Sequence, residues 1–184
     1  MSRLHTPDSV DSSPEASRAS LNAVAKSLGS VPNLFRVVGN SPAALKGYLA
    51  LSGSFGGASL DAKTQERIAL AVAEVNGCGY CLSAHTYLGR NVAKLDDAEI
   101  TANRNGSSND IKAHAAVRFA TQVVRARGHV SDVELKAVRD AGYSDAEVVE
   151  IVLAVALNTF TNYVNEVAGT VIDFPVVTPR QAAA

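Results

Sequence analysis

The stretch Ile68-Ala-Leu-Ala-Val-Ala73 constrains the fold more than any other part of the chain. It lies within a segment that Asp61 can cap and that Asn76-Gly77 breaks, which predicts a helix from Ala62 to about Asn76. A surface helix keeps one polar face. This one is apolar on every side through its middle, so other elements must surround it. The 184 residues amount to one domain on the prior of roughly 100–200 residues each, enough to build that surround.

The surrounding patterns are helical. Leu21, Val24, Ala25 and Leu28 fall at i, i+3, i+4 and i+7, and Gly29 stops them. Pro32-Asn-Leu-Phe35 reads as a turn before Arg36–Val38, Pro42 suits the first turn of a helix through Leu51, and Gly53, Gly56 and Gly57 mark a loop. A helix begins near Cys78 and continues to about Val92. Asp96–Ala102 is a short helix, Arg104–Ser108 a polar loop, and Ile111 opens a longer helix that ends at Gly128. Ser131-Asp-Val-Glu134 and Ser144-Asp-Ala-Glu147 fit the capping box and open two more helices, the last ending near Gly169. No period-2 alternation competes, so the expected fold class is all-α, a multi-helix domain spanning 20–172. Residues 1–19, polar and with Pro7 and Pro14, read as a mobile arm, and 173–184 as an extended tail.

Composition narrows the function. Seventeen Lys and Arg against eighteen Asp and Glu leave a net charge of −1, which gives no electrostatic footprint for nucleic acid or an anionic membrane surface. No run of about 20 apolar residues is present, and the first residues lack the apolar stretch of a signal peptide, so a cytoplasmic protein is expected. The two cysteines stand three apart at 78 and 81. A disulfide-stapled secreted scaffold would need more, spread along the chain.

One internal correspondence stands out. Adding 84 to the position takes Glu66 to Glu150, Cys78 to Asn162 and Cys81 to Asn165. It reads either as coincidence between two Ala/Val/Leu helices or as a duplicated helix pair packed with pseudo-two-fold symmetry, of which only the first copy kept thiols.

Chemistry concentrates at Glu66, Cys78, Cys81 and His85. Cys78 and Cys81 sit at a helix start, where free backbone donors and the positive end of the dipole favour thiolate over thiol. Their spacing lets the sulfurs meet in a disulfide. His85 follows Cys81 by four residues on the same helical face and can take its proton. Glu66 is remote on a straight helix. A hairpin at Asn76-Gly77 would place it ~16 Å back along one arm and His85 ~11 Å along the other, close enough for the carboxylate to orient the imidazole.

Plainer readings exist for each group. Buried cysteines can be small hydrophobes, although the glycines around Cys78 mark a helix end. Zinc wants four ligands, and only the two cysteines and His85 are at hand; His5, His114 and His129 lie far off. A thioredoxin-type pair follows a strand, and none precedes Cys78. Glu74 reads as a surface or capping carboxylate, and Tyr80 as helix-surface packing or a hydrogen-bond donor near the thiols.

Glu66, eleven residues, Cys78-Gly-Tyr-Cys81 and then His85 together resemble the alkylhydroperoxidase (AhpD-like) branch of the carboxymuconolactone decarboxylase family. The likeness extends through Val31-Pro-Asn-Leu-Phe-Arg36, Ser41-Pro-Ala-Ala-Leu45 and Asn158–Asn165, over most of residues 25–170. It implies an all-helical thiol peroxidase acting on organic hydroperoxides, with Cys81 attacking the peroxide, Cys78 resolving, and His85 with Glu66 as proton relay. It implies an external dithiol reductant such as a lipoyl or thioredoxin-like protein, assembly into a homotrimer or homohexamer, and no metal, flavin or haem. Some members carry a His between the cysteines, where this chain has Tyr80. Two alternatives remain: a non-enzymatic redox sensor or stress-response interaction module, and a carboxymuconolactone decarboxylase-like enzyme, which has no use for paired thiols.

Overall fold

The computed structural model describes residues 2–180. The described chain is all-α. Its elements are α1 (Glu15–Leu28), α2 (Asn33–Val38), α3 (Pro42–Ser54), a 3₁₀ turn (Phe55–Gly57), α4 (Ala62–Val75), α5 (Gly79–Asn91), α6 (Asp97–Arg104), α7 (Ile111–Arg125), α8 (Asp132–Asp140) and α9 (Asp145–Ala168).

Helix α4 is the hub, packed against α5, α6, α7 and α9. It serves two apolar clusters at once. Ile68, Ala71 and Val72 meet Val117, Ala120 and Ile151 from α7 and α9. Leu70 and Ala73 face the other way, toward Leu34, Leu45, Cys81 and Leu82. That division explains the all-round apolar pattern: two cores share one helix. Ile68, Leu70 and Val72 are fully buried, and truncating such a side chain to Ala costs about 2–5 kcal/mol for Leu or Ile.

The helix starts follow the local signals. Asp61 Oδ1 accepts the Thr64 N–H at 2.9 Å, and both Ser131 and Ser144 form complete capping boxes. Elsewhere, tertiary partners decide. Pro32-Asn-Leu-Phe35 is not a turn but the entry to α2, because its orphan donors are capped from afar. The Asn33 N–H donates to Asp173 Oδ2 at 2.7 Å and the Leu34 N–H to Tyr80 Oη at 3.1 Å. Helix α3 runs past Leu51 to Ser54 and tightens into the 3₁₀ turn where a loop was expected. Helix α1 begins at Glu15, ahead of the Leu21 periodicity and inside the segment 1–19; Ser17 is buried and donates to Gly39 O at 2.7 Å.

The described segments before α1 and after α9 lie against the helices. Asn40 Nδ2 donates to His5 O at 2.7 Å and Arg36 Nη1 to Asp8 O at 3.0 Å. The segment after α9 crosses the start of α5, where the Val177 N–H donates to Ser83 Oγ at 2.9 Å. Residues 181–184 of the tail read from the sequence lie outside the described residues.

Helix α9 has 24 residues and a mean hydropathy of 1.3 over its most apolar window, so by length and composition it alone among the described residues could cross a membrane. Its apolar face packs on α4 and α7, and its other inward face carries Asn158, Thr161, Asn162 and Asn165. It also runs unbroken through 160–162, the positions 84 beyond the Asn76–Cys78 break, so this segment forms no second helical hairpin.

Candidate active site

The connection between α4 and α5 is three residues long and sets the site. Gly77 takes φ +68°, a left-handed conformation that a side chain disfavours. The Gly77 N–H donates to Glu74 O at 3.2 Å and the Cys78 N–H to Ala73 O at 3.0 Å, a Schellman pattern that ends α4 and turns the chain back. Cys78 then caps α5, its Sγ accepting the Cys81 N–H at 3.4 Å. Cys81 thus lies in the first turn of α5, near the positive end of its dipole.

The hairpin brings all four sequence-derived residues together. His85 Nδ1 lies 2.9 Å from Glu66 Oε2, with both side chains about one-fifth exposed (21% and 23%). Cys78 and Cys81 are free thiols and almost completely buried, at 0% and 2% exposure.

Helix α9 supplies what the sequence reading did not place. Asn165 Nδ2 donates to Cys81 Sγ at 3.2 Å, and Thr161 Oγ1 lies 4.0 Å from the same sulfur. Asn162 Oδ1 accepts from Asn76 Nδ2 at 2.8 Å, tying α9 to the hairpin turn. Asn158 lines the same cavity as Cys81 and His85. The signal was available: 158, 161, 162 and 165 repeat at i, i+3, i+4 and i+7, a polar stripe on an otherwise apolar helix.

Electrostatics separate the two sulfurs. The Cys81 thiol is pulled down to about 6, first by a hydrogen bond from the Cys78 thiol, with the His85 charge, Asn165 and Asn162 adding to it against burial. Cys78 is pushed strongly upward by that same hydrogen bond and by burial, so the proton resides there. Burial works against a charge on His85, but the Glu66 carboxylate outweighs it, and the His85 pKa is raised. Burial and the nearby Cys81 push the Tyr48 phenol up to about 12, leaving it neutral.

Two neighbouring groups have structural partners. Tyr80 turns its hydroxyl away to cap α2 at Leu34 and packs edge-on against Phe174, ring centroids 5.9 Å apart. Glu74 is no surface carboxylate. It is buried, pairs with Arg104 Nε at 2.6 Å and accepts the Arg180 N–H, which offsets the unfavourable helix terminus.

A cavity of about 630 Å³ opens over Cys81, with Glu66, His85, Asn158 and Thr161 among its polar lining. Among the described residues, no three His, Cys, Asp or Glu side chains converge as a metal cage would require.

Comparison with known proteins agrees with this architecture. Residues 42–122 match the carboxymuconolactone decarboxylase family, a stretch that holds Glu66, both cysteines and His85. No curated protein matches the sequence. Among solved structures, the fold is similar to an alkylhydroperoxidase AhpD core, a peroxidase-related protein of Ralstonia eutropha. The TM-score is 0.82 at 22% identity, over 94% of this chain and 92% of that one. A peroxidase-related protein of a Silicibacter species gives 0.78 at 21% identity, over 92% and 89% of the two chains. The debrominase Bmp8, solved with 2,3,4-tribromopyrrole, gives 0.78 at 18% identity, over 94% of each chain. Residues 42–122 thus match the carboxymuconolactone decarboxylase family, within a chain whose fold is similar to that of an alkylhydroperoxidase AhpD core.

Proposed function

We propose that the protein is a thiol peroxidase that reduces organic hydroperoxides. The observation that carries this reading is the arrangement around Cys81. One sulfur, held as thiolate, faces a cavity; a second thiol stands one helical turn away, and a carboxylate-anchored imidazole lies beyond it.

The Cys81 thiolate attacks the terminal oxygen of ROOH, and the O–O bond breaks. Sulfur gains that oxygen and is oxidised to sulfenic acid, while the departing alkoxide takes the proton held by His85 and leaves as ROH. Glu66 keeps the imidazole oriented and protonated for that step. The Cys78 sulfur then attacks the sulfenic acid, water leaves, and a Cys78–Cys81 disulfide closes. An external dithiol of lipoyl or thioredoxin-like type restores both thiols by exchange. The same reading carries a cytoplasmic, reducing setting and a homotrimer or homohexamer, which light scattering at micromolar concentration checks.

The test is steady-state consumption of hydroperoxide with a panel of dithiols, on wild type and Cys81→Ser. Repeated turnover that vanishes in Cys81→Ser supports the reading. A single equivalent consumed, whatever the dithiol, replaces it with a redox sensor. A halogenated heterocycle belongs in the same panel, because the fold is shared with a debrominase. Bromide release without peroxide loss would make the chain a dehalogenase instead.

A further inference from the structure

We infer that the cavity over Cys81 selects neutral, bulky aromatic hydroperoxides and rejects both hydrogen peroxide and hydroperoxides that carry an anionic group; this rests on the peroxidase reading above. Shape is the first argument. At about 630 Å³ the cavity is far larger than a peroxide group needs and lies within the usual range for drug-sized ligands, roughly 300–1,000 Å³. Its walls are rings: Phe35, Tyr48, Phe55, Tyr87 and Phe174 line it. Phe35 and Tyr48 lie 5.5 Å apart and tilted, and Tyr87 and Phe174 5.9 Å apart, so two pairs of rings flank the space.

Charge is the second argument. Among the described residues, no Lys or Arg lines the cavity. Its one cation, His85, is already paired with Glu66, and Asp173 adds a second carboxylate, whose oxygen accepts the Asn33 N–H. A carboxylate or phosphate entering here finds no counter-ion and must shed its water, which is costly. Cys81, His85, Asn158 and Thr161 line the same cavity as the rings, and its other polar groups, Gln65 and Asp173 among them, carry no positive charge. A neutral ligand with an aromatic body can lay its ring against these walls while its hydroperoxide meets Cys81.

A matched pair of substrates tests this: cumene hydroperoxide and its para-carboxylate. The expected kcat/KM ratio is roughly tenfold or more in favour of the neutral compound, with hydrogen peroxide lower still, since it has no ring to bury against the cavity walls. Binding of the unreactive alcohol 2-phenylpropan-2-ol and its para-carboxylate to the reduced wild-type protein, followed by calorimetry, reads the same preference without turnover. Ser52→Lys, at the exposed rim of the cavity, should recover the carboxylate compounds selectively. If no hydroperoxide is turned over but the neutral alcohol binds with that preference, the peroxidase reading falls and the selectivity stands. If turnover proceeds with equal kcat/KM for all three peroxides and neither alcohol binds, the selectivity is overturned and the peroxidase reading stands.

Discussion

Glu66 and His85 are 19 positions apart in sequence, yet their side chains meet at 2.9 Å across the α4–α5 hairpin. The contact depends on where the hairpin turns. One residue more or less between Val75 and Cys78 would rotate α5 by about 100° and carry His85 off the face that meets α4. The carboxylate would then lie half-buried without a partner, which is expensive. Turn geometry and the proposed relay are therefore one constraint.

The roles of the two cysteines are separable. Cys78→Ser is expected to consume one equivalent of organic hydroperoxide and stop, with the added oxygen found on Cys81 by mass spectrometry. Cys81→Ser should show no such step. Oxygen on Cys78 in the Cys81→Ser protein, with Cys81 inert in the other variant, would reverse the assignment.

The pH dependence follows from the depressed Cys81 pKa. A thiol at about 6 is mostly thiolate above that pH and mostly protonated below it, so alkylation by iodoacetamide should rise through pH 6 and then level off. Cys78→Ala removes the largest stabilising hydrogen bond and should move the midpoint furthest upward. Asn165→Ala and Glu66→Gln should move it up by less, the latter because His85 loses the charge that keeps it protonated. An unchanged midpoint in all three variants would contradict this electrostatic account.

Tyr80 lies between the cysteines but acts on α2. In Tyr80→Phe the Leu34 N–H loses its acceptor, a buried donor whose cost is about 1–3 kcal/mol. Urea denaturation should register that loss, while the alkylation midpoint of Cys81 stays where it is. A shifted midpoint would mean that the hydroxyl reaches the sulfur after all.

Glu99 is an acid-sensitive point of the scaffold. Burial opposes its charge, but hydrogen bonds from Ser108, Asn103, the Asn109 N–H and Arg67 outweigh it and hold the carboxyl at about 2. Because the folded value is the lower one, this contribution is complete above the ordinary carboxylate value and is lost as pH falls toward 2. Glu99→Gln leaves the buried Arg67 guanidinium without its close carboxylate partner and should cost about 3–5 kcal/mol at pH 7. Denaturation curves at pH 7 and pH 3 should show that penalty shrinking in acid. A penalty equal at both would mean that Glu99 contributes no acid-dependent stability.

Local information determined much of this protein. The all-round apolar run Ile68–Ala73 required a central helix, Asp61, Ser131 and Ser144 set helix starts through their own side chains, and Asn76-Gly77 marked the turn. Each of these works within about four residues, the reach of a capping bond or one helical turn, which is why it shows in the sequence. The spacing of Glu66, Cys78, Cys81 and His85 was legible for the same reason, once the turn between them was seen. Tertiary packing decided the rest. Helix α2 forms because Asp173 and Tyr80 cap it from 140 and 46 positions away, and nothing near Asn33 announces either partner. Glu74 is buried only because Arg104 reaches it from α6. The thiolate environment of Cys81 is completed by Asn165, 84 positions on, and the cavity walls come from α2, α3, α4, α5, α9 and the segment after α9. Such contacts depend on how whole helices dock, and docking is set by the summed burial of many side chains rather than by any short stretch.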